Sequence, residues 1–300
     1  MKKLILTIAV FAVFSTVNAQ LLYKISGNGL ETPSYIVGTY HLAPGSFVDS
    51  IPGLKEAFAA CKQIYGELDM QDALSEENKA KLEKQQLLPE GTTLSSLLDK
   101  GQQDRLNALM SKCFGIDMTN PAMAAQFDQL TPTAVAVTLT LVAYMKKVPQ
   151  INPMDLLDGH LQQMAVKQGM AVKGFETVEF QTEVLYGTPL EKQVVELMCL
   201  VDNFDDAIEA AEFVTAAYFS QDLNRLQEEV NEESDGSCAT SPEDDARLTS
   251  DRNVNWVKVM PEIMKEAPTF FAVGAAHLYG EKGVLRLLEE AGYKIEGVTK

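Results

Sequence analysis

Histidine, tryptophan and cysteine are scarce in this 300-residue chain, with three, one and four copies. The cysteines, Cys61, Cys113, Cys199 and Cys238, show no CxxC spacing, which argues against a thiolate zinc site. No GxSxG, HExxH or P-loop pattern occurs, so the local motifs of a nucleophile elbow, a zincin helix and a phosphate-cradling loop are all missing. Basic residues are short too: 25 Lys and Arg stand against 42 Asp and Glu, a formal charge of −17. A surface so acidic repels nucleic-acid phosphates and anionic lipid, and no nucleic-acid partner is expected. Beyond residue 19 no apolar run reaches the roughly 20 residues needed to span a bilayer, so no stable membrane insertion is expected.

The first residues follow a different grammar. Lys2 and Lys3 precede an apolar run from Leu4 to Val17, and Val17-Asn18-Ala19 forms a small-residue cleavage pattern ahead of Gln20. Residues 1–19 therefore read as a secretory signal peptide cleaved at about Ala19-Gln20. The run is too short for a retained anchor, and Gln20 is not the cysteine of a lipoprotein. The expected address is periplasmic or secreted. One or two disulfides can form there, and the four cysteines allow three full pairings, which stay open.

From Gln20 onward, strand and helix patterns alternate. Leu21–Ile25, Ser34–Thr39, Gln63–Asp69, Met170–Glu176, Thr269–Val273 and Tyr293–Val298 are short apolar or β-branched runs bounded by Gly, Pro or polar residues, and they read as strands. Helical spacing fills Pro52–Cys61, much of Ser75–Gln168 (with an apolar helix or helix pair over Pro121–Met145), Thr188–Glu233 with a break near Asn203, Leu248–Lys265 and Gly283–Ala291. The acidic Glu232–Asp245 stretch reads as a solvated loop. Strand, helix and strand within residues 34–69 form a βαβ unit with parallel strands. The expected fold is α/β: a central, largely parallel sheet carrying the site at its strand carboxyl ends, with a large helical lobe. It is read as one domain over residues 20–300, with helical insertions at about 75–168 and 188–265.

Two of the three histidines stand in the same pattern. Val37-Gly38-Thr39-Tyr40-His41-Leu42 and Val273-Gly274-Ala275-Ala276-His277-Leu278 are both strand–Gly–x–x–His–Leu. His160 lies on an amphipathic helix and reads as structural. Glu67 and Glu176 also fall at strand carboxyl ends, the edge where open α/β sheets bind ligands. Two imidazoles and one carboxylate form a common ligand set for a catalytic divalent metal with open positions. His41, Glu67 and His277 are the candidate metal ligands and Glu176 the candidate general base. Arg252 could hold a substrate carboxylate or oxyanion, and Asn253 could orient a ligand.

The set of Tyr35–Leu42, Tyr65–Asp69, Gly174–Gln181, Asp251–Asn253 and Val273–Leu278, in this order and spacing, resembles the TraB/GumN family, to which the TIKI Wnt-inactivating proteases are related. The resemblance implies an α/β core with a helical lobe and a divalent metal, manganese, cobalt or zinc. It implies metal-binding or catalytic roles for His41, Glu67 and His277, and less defined ones for Glu176, Arg252 and Asn253. A peptide or protein substrate is implied, and with it an exported metal-dependent hydrolase. Two other readings stay open: a non-catalytic metal- or haem-binding protein, with Tyr40 keeping haem in play, and a metal-independent esterase using one histidine as base. N-terminal sequencing of the exported protein is expected to begin at Gln20, whereas an intact Met1 on the mature chain would overturn the signal peptide.

Overall fold

The computed structural model describes residues 20–147, 152, 154–230, 238 and 240–299. The signal peptide read in residues 1–19 lies outside the described residues. One sheet organises the chain. Its strands are β1 (Leu22–Gly27), β2 (Ser34–Thr39), β3 (Gln63–Gly66), β4 (Ala171–Gly174), β5 (Thr269–Gly274) and β6 (Tyr293–Gly297), in the spatial order β4-β3-β5-β2-β1-β6. The first four in that order are mutually parallel, while β1 pairs antiparallel with both β2 and β6. The expectation of a largely parallel sheet therefore holds.

Parallel neighbours need crossover connections, and here they are helical. The link from β2 to β3 is α1 (Leu54–Ala59). From β3 to β4 the chain runs through α2 (Met70–Ala73), α3 (Glu76–Gln86), α4 (Leu94–Leu97), α5 (Lys100–Phe114), α6 (Pro121–Phe127), α7 (Pro132–Lys147) and α8 (Leu157–Lys167). From β4 to β5 it runs through α9 (Val178–Tyr186), α10 (Leu190–Asp202), α11 (Phe204–Phe219), α12 (Leu223–Val230), α13 (Pro242–Leu248) and α14 (Ser250–Glu266), and α15 (Val284–Glu290) precedes β6. Pro121–Met145 thus resolves into two helices, each opened by a proline at its first position, where the missing N–H costs nothing.

Three α-helices depart from the sequence reading: the four-residue α2, between Asp69 and Ser75, together with α9 and α13. α9 fills a stretch not assigned as helix, its start capped by the Thr177 side chain accepting from the Phe180 N–H. α13 lies at the end of the stretch read as a solvated loop, where Ser241 caps Pro242-Glu243-Asp244. The acidic residues that suggested solvent there are in the first turn, where the helix dipole favours them.

The strands alternate their side chains between two apolar layers. Phe270 meets Phe58 of α1 edge-on at 5.1 Å on one face. On the other, Phe271 stacks on Phe175 at 5.6 Å and Phe175 on Trp256 of α14 at 5.3 Å. A separate apolar cluster, with Leu94, Met110, Leu139, Leu197 and Phe204 among its buried members, forms the core of the helical lobe.

Cys199 of α10 is bonded to Cys238, while Cys61 and Cys113 are free and buried. Thiol titration of the denatured, unreduced protein should therefore find two reactive groups, not four. Replacing Cys199 by Ser should lower the unfolding free energy by about 3–4 kcal/mol, the chain-entropy value for a loop of this size, measurable in urea.

Candidate active site

Because β4, β3, β5 and β2 run parallel, their carboxyl ends lie along one edge. The chain leaves them to present Glu176, Glu67, His277 and His41 in that spatial order. Pairing continues past the strands, with the Glu176 N–H donating to the Glu67 carbonyl at 3.0 Å. The two Gly-x-x-His motifs are neighbours: Gly38 faces Val273, and Thr39 faces Gly274, across the β2–β5 ladder. They are also packed on each other, since a Cβ on Gly38 would stand 2.9 Å from Leu278 Cδ1 and 3.0 Å from Ala275 Cα. At Gly274 the missing side chain lets Glu67 approach, and the Gly274 N–H donates to Glu67 Oε1 at 2.8 Å. A Cβ there would lie 3.2 Å from that same oxygen.

Arg252, from the first turns of α14, holds this edge together. A guanidinium has five N–H groups, and all five have partners. Nε donates to Glu176 Oε1 at 2.9 Å, and Nη2 to Glu176 Oε2 at 2.7 Å and to Glu67 Oε2 at 2.6 Å. Nη1 donates to the Leu248 carbonyl at 3.1 Å and to His277 Nε2 at 3.2 Å. The side chains of Arg252, Glu67 and Glu176 are only 9%, 10% and 5% exposed. Removing one partner of such a buried set leaves an unpaired charge, at a cost of about 3–5 kcal/mol.

Glu176 accepts four N–H donors, the other two being Trp256 Nε1 at 2.8 Å and Gln181 Nε2 at 3.0 Å. A carboxylate so engaged and so buried is poorly placed to take a proton from water. The carboxylate of the expected general base also anchors Arg252 through two of these bonds. Arg252, expected to hold a substrate carboxylate or oxyanion, has all five N–H groups on protein partners here.

Asn253, the next residue of α14, accepts from His277 Nδ1 at 2.7 Å and donates to the Lys282 carbonyl at 3.0 Å. With Nδ1 donating, the Nε2 lone pair of His277 is the one met by Arg252, and Nε2 stands 3.8 Å from Glu67 Oε1. Burial, together with the Arg252 charge, pushes the imidazole down to about 4, so it is neutral at physiological pH. Burial also opposes charge on Glu67, but the neighbouring imidazoles, Arg252 and the Gly274 N–H outweigh it and hold that carboxyl down at about 2.

His41 differs. Its side chain is 69% exposed where it borders a cavity, and Nδ1 lies 3.2 Å from Asp158 Oδ2. Asp158 is itself oriented by Thr39, whose hydroxyl donates to Oδ1 at 2.6 Å. The hydrogen bond to Asp158 pushes the imidazole up to about 9. Its neighbour Tyr40 aims its hydroxyl at Thr215 of α11, 2.9 Å away, which commits the residue that had kept haem ligation open. His160 pairs with Asp155 at 2.8 Å beside Gly45, outside the constellation.

Three contributors went unassigned in the sequence: Asp158, Gln181 and Trp256. Trp256 carried a signal, being the lone tryptophan and one helical turn after Arg252. Gln181 carried only its place at the end of the Gly174–Gln181 stretch and Asp158 none, because their roles depend on contacts across the fold.

Among the described residues no three His, Cys, Asp or Glu side chains stand as a ready cation site. The donors nevertheless fit a divalent metal in kind. Both imidazoles have Nδ1 on an oxygen partner, the arrangement that leaves Nε2 as ligand, and Glu67, next along the edge from His277, is anionic. Loading a cation would displace the Arg252 Nη1 contact from His277.

A family model for the TraB/PrgY/gumN family matches residues 21–297. Among curated proteins, the chain is 25% identical over 305 residues to "Metalloprotease TIKI2" of Danio rerio, covering 88% of this chain and 58% of that protein. The chain thus spans less than two-thirds of that relative's length. No solved structure matches it.

Nuclear magnetic resonance titration of the histidines should find His41 protonated through neutral pH and deprotonating near 9, and His277 neutral down to about 4. The contribution of His277 to stability should be lost as pH falls from 6.5 to about 4, and that of Glu67 as pH falls from 4.5 to about 2. The contribution of His41 has the opposite sense, full below 6.5 and lost as pH rises through about 9, and is reduced by solvent screening.

Proposed function

The chain belongs to the TraB/PrgY/gumN family, and on that footing we propose that it is an exported, metal-dependent hydrolase acting on peptide bonds. The observation that carries the proposal is the edge shared by β3, β5 and β2. There Glu67, His277 and His41 follow one another, and the Nδ1 atom of each imidazole is fixed by an oxygen, Asn253 Oδ1 for His277 and Asp158 Oδ2 for His41. The similarity to a protein named a metalloprotease supports the reaction class. The Cys199–Cys238 bond supports an oxidising compartment. No helix among the described residues is long and apolar enough to cross a membrane.

His41, Glu67 and His277 would hold the metal, which when bound would polarise a substrate carbonyl and make bound water acidic enough to serve as nucleophile near neutral pH. Asn253 and Asp158 keep the two imidazoles in the tautomer and direction that ligation needs. Arg252, locked to Glu176, holds the Glu67 carboxylate in place and ionised. The deep seating of Glu176, Arg252 and His277 keeps bulk water from the far side of the site, while His41 and Glu67 border the cavity through which a substrate would enter.

Metal content, thermal shift on adding manganese, cobalt or zinc, and peptide hydrolysis test the proposal together. His41→Ala and His277→Ala should each abolish the thermal shift and the hydrolysis. Asn253→Ala and Asp158→Ala should weaken metal affinity by about 10–100-fold, the usual effect of losing a group that orients a ligand. Hydrolysis that survives exhaustive chelation would overturn metal dependence and favour an esterase-type mechanism with a histidine base.

A further inference from the structure

The cavity that borders the site is lined by His41, Glu67 and Asp158, and its wall also includes Leu68, Met70, Leu74, Leu156, Val166 and Val172. Its volume is about 730 Å³, ample for a large side chain together with the backbone that carries it. In a chain with 42 acidic residues, the acidic side chains that the described residues place on this wall are Glu67 and Asp158, both members of the site, and Lys167 is the basic one. Leu74 and Val166 are each 59% exposed, so two large aliphatic groups of this wall stand open to solvent. Methionine is the most adaptable apolar side chain, and Met70 adds it to the wall.

We propose that this wall is a specificity pocket for a large apolar side chain of a peptide whose adjoining bond is presented to His41 and Glu67; the ligand class rests on the peptidase proposal above. Two observations favour a peptide over a hydrocarbon chain. β4 is the terminal strand of the sheet, half-exposed, and its Val172 borders the cavity. A terminal strand offers main-chain N–H and C=O groups that an extended peptide can pair with. The side-chain amides of Gln71 and Gln163 also stand among the aliphatic groups, as donors and acceptors that a hydrocarbon cannot use.

Fluorescein-labelled pentapeptides Ala-Ala-Xaa-Ala-Ala, with leucine, methionine, phenylalanine, serine or aspartate at the centre, provide the test by anisotropy on the whole protein, with or without turnover. The three apolar peptides should bind at least about tenfold more tightly than the other two, the scale of discrimination an apolar pocket supplies. Leu74→Asp and Val166→Asp should each remove most of that difference. Both positions are exposed, so the circular-dichroism melt should not move, and if one variant fails to fold the other still decides. Equal affinity for all five peptides would overturn the pocket, as would tighter binding of decanoate than of any peptide. An apolar preference without cleavage keeps the pocket and removes the hydrolase. Equal binding of all five with cleavage does the reverse.

Discussion

The buried guanidinium of Arg252 is the constraint on which the site depends. It neutralises one of two carboxylates that would otherwise repel each other below the surface, and it binds both, together with the lone pair of His277. Arginine is required for this because its planar fork can grip Glu176 with two parallel N–H groups and still reach Glu67; a lysine offers a point charge and no fork. The aromatic layer beneath supports the arrangement. Trp256 lies one turn along α14 with its ring 5.0 Å from the guanidinium and 4.5 Å from the His277 ring, while its N–H is committed to Glu176.

The two histidines are held by different physics for the same reason of orientation. His277 is enclosed, kept neutral by burial, and aimed by the amide of Asn253. His41 stands in solvent at the cavity wall, kept charged by Asp158 when no cation competes for it. The pair therefore supplies one neutral imidazole inside and one labile proton outside, with Glu67 beyond His277 along the edge. α8 fixes the outer half. Its first turn carries Asp158, and the residues just before it pair with the chain after His41 through the Pro44–Leu156 bridge and the Gly45 N–H to the Asp155 carbonyl.

Much of this was legible in the sequence because strands announce themselves locally. Apolar and β-branched runs marked the four parallel strands, although the runs read over Gln63–Asp69 and Met170–Glu176 extend past the ends of β3 and β4 at Gly66 and Gly174, and a residue near such an end projects from the sheet edge. α9 and α13 were missed for opposite reasons. α9 follows a strand with only a few residues between and is marked chiefly by its Thr177 cap. α13 begins Ser241-Pro242-Glu243-Asp244, a helix start in its capping chemistry that overall polarity made look like a loop.

The sequence by itself determined the fold class, the parallel strands and the four titratable residues near their carboxyl ends, since each follows from local periodicity and glycine placement within a dozen residues. Only the tertiary structure decided what each of those residues does. Glu176 meets Arg252 across 76 positions of chain and Glu67 meets it across 185. Asp158 reaches His41 across 117, and Cys199 finds Cys238 in place of two buried cysteines equally available in the sequence. A hydrogen bond is satisfied within about 3 Å, and which donors come that close depends on how the helices cross the sheet, which no local pattern encodes.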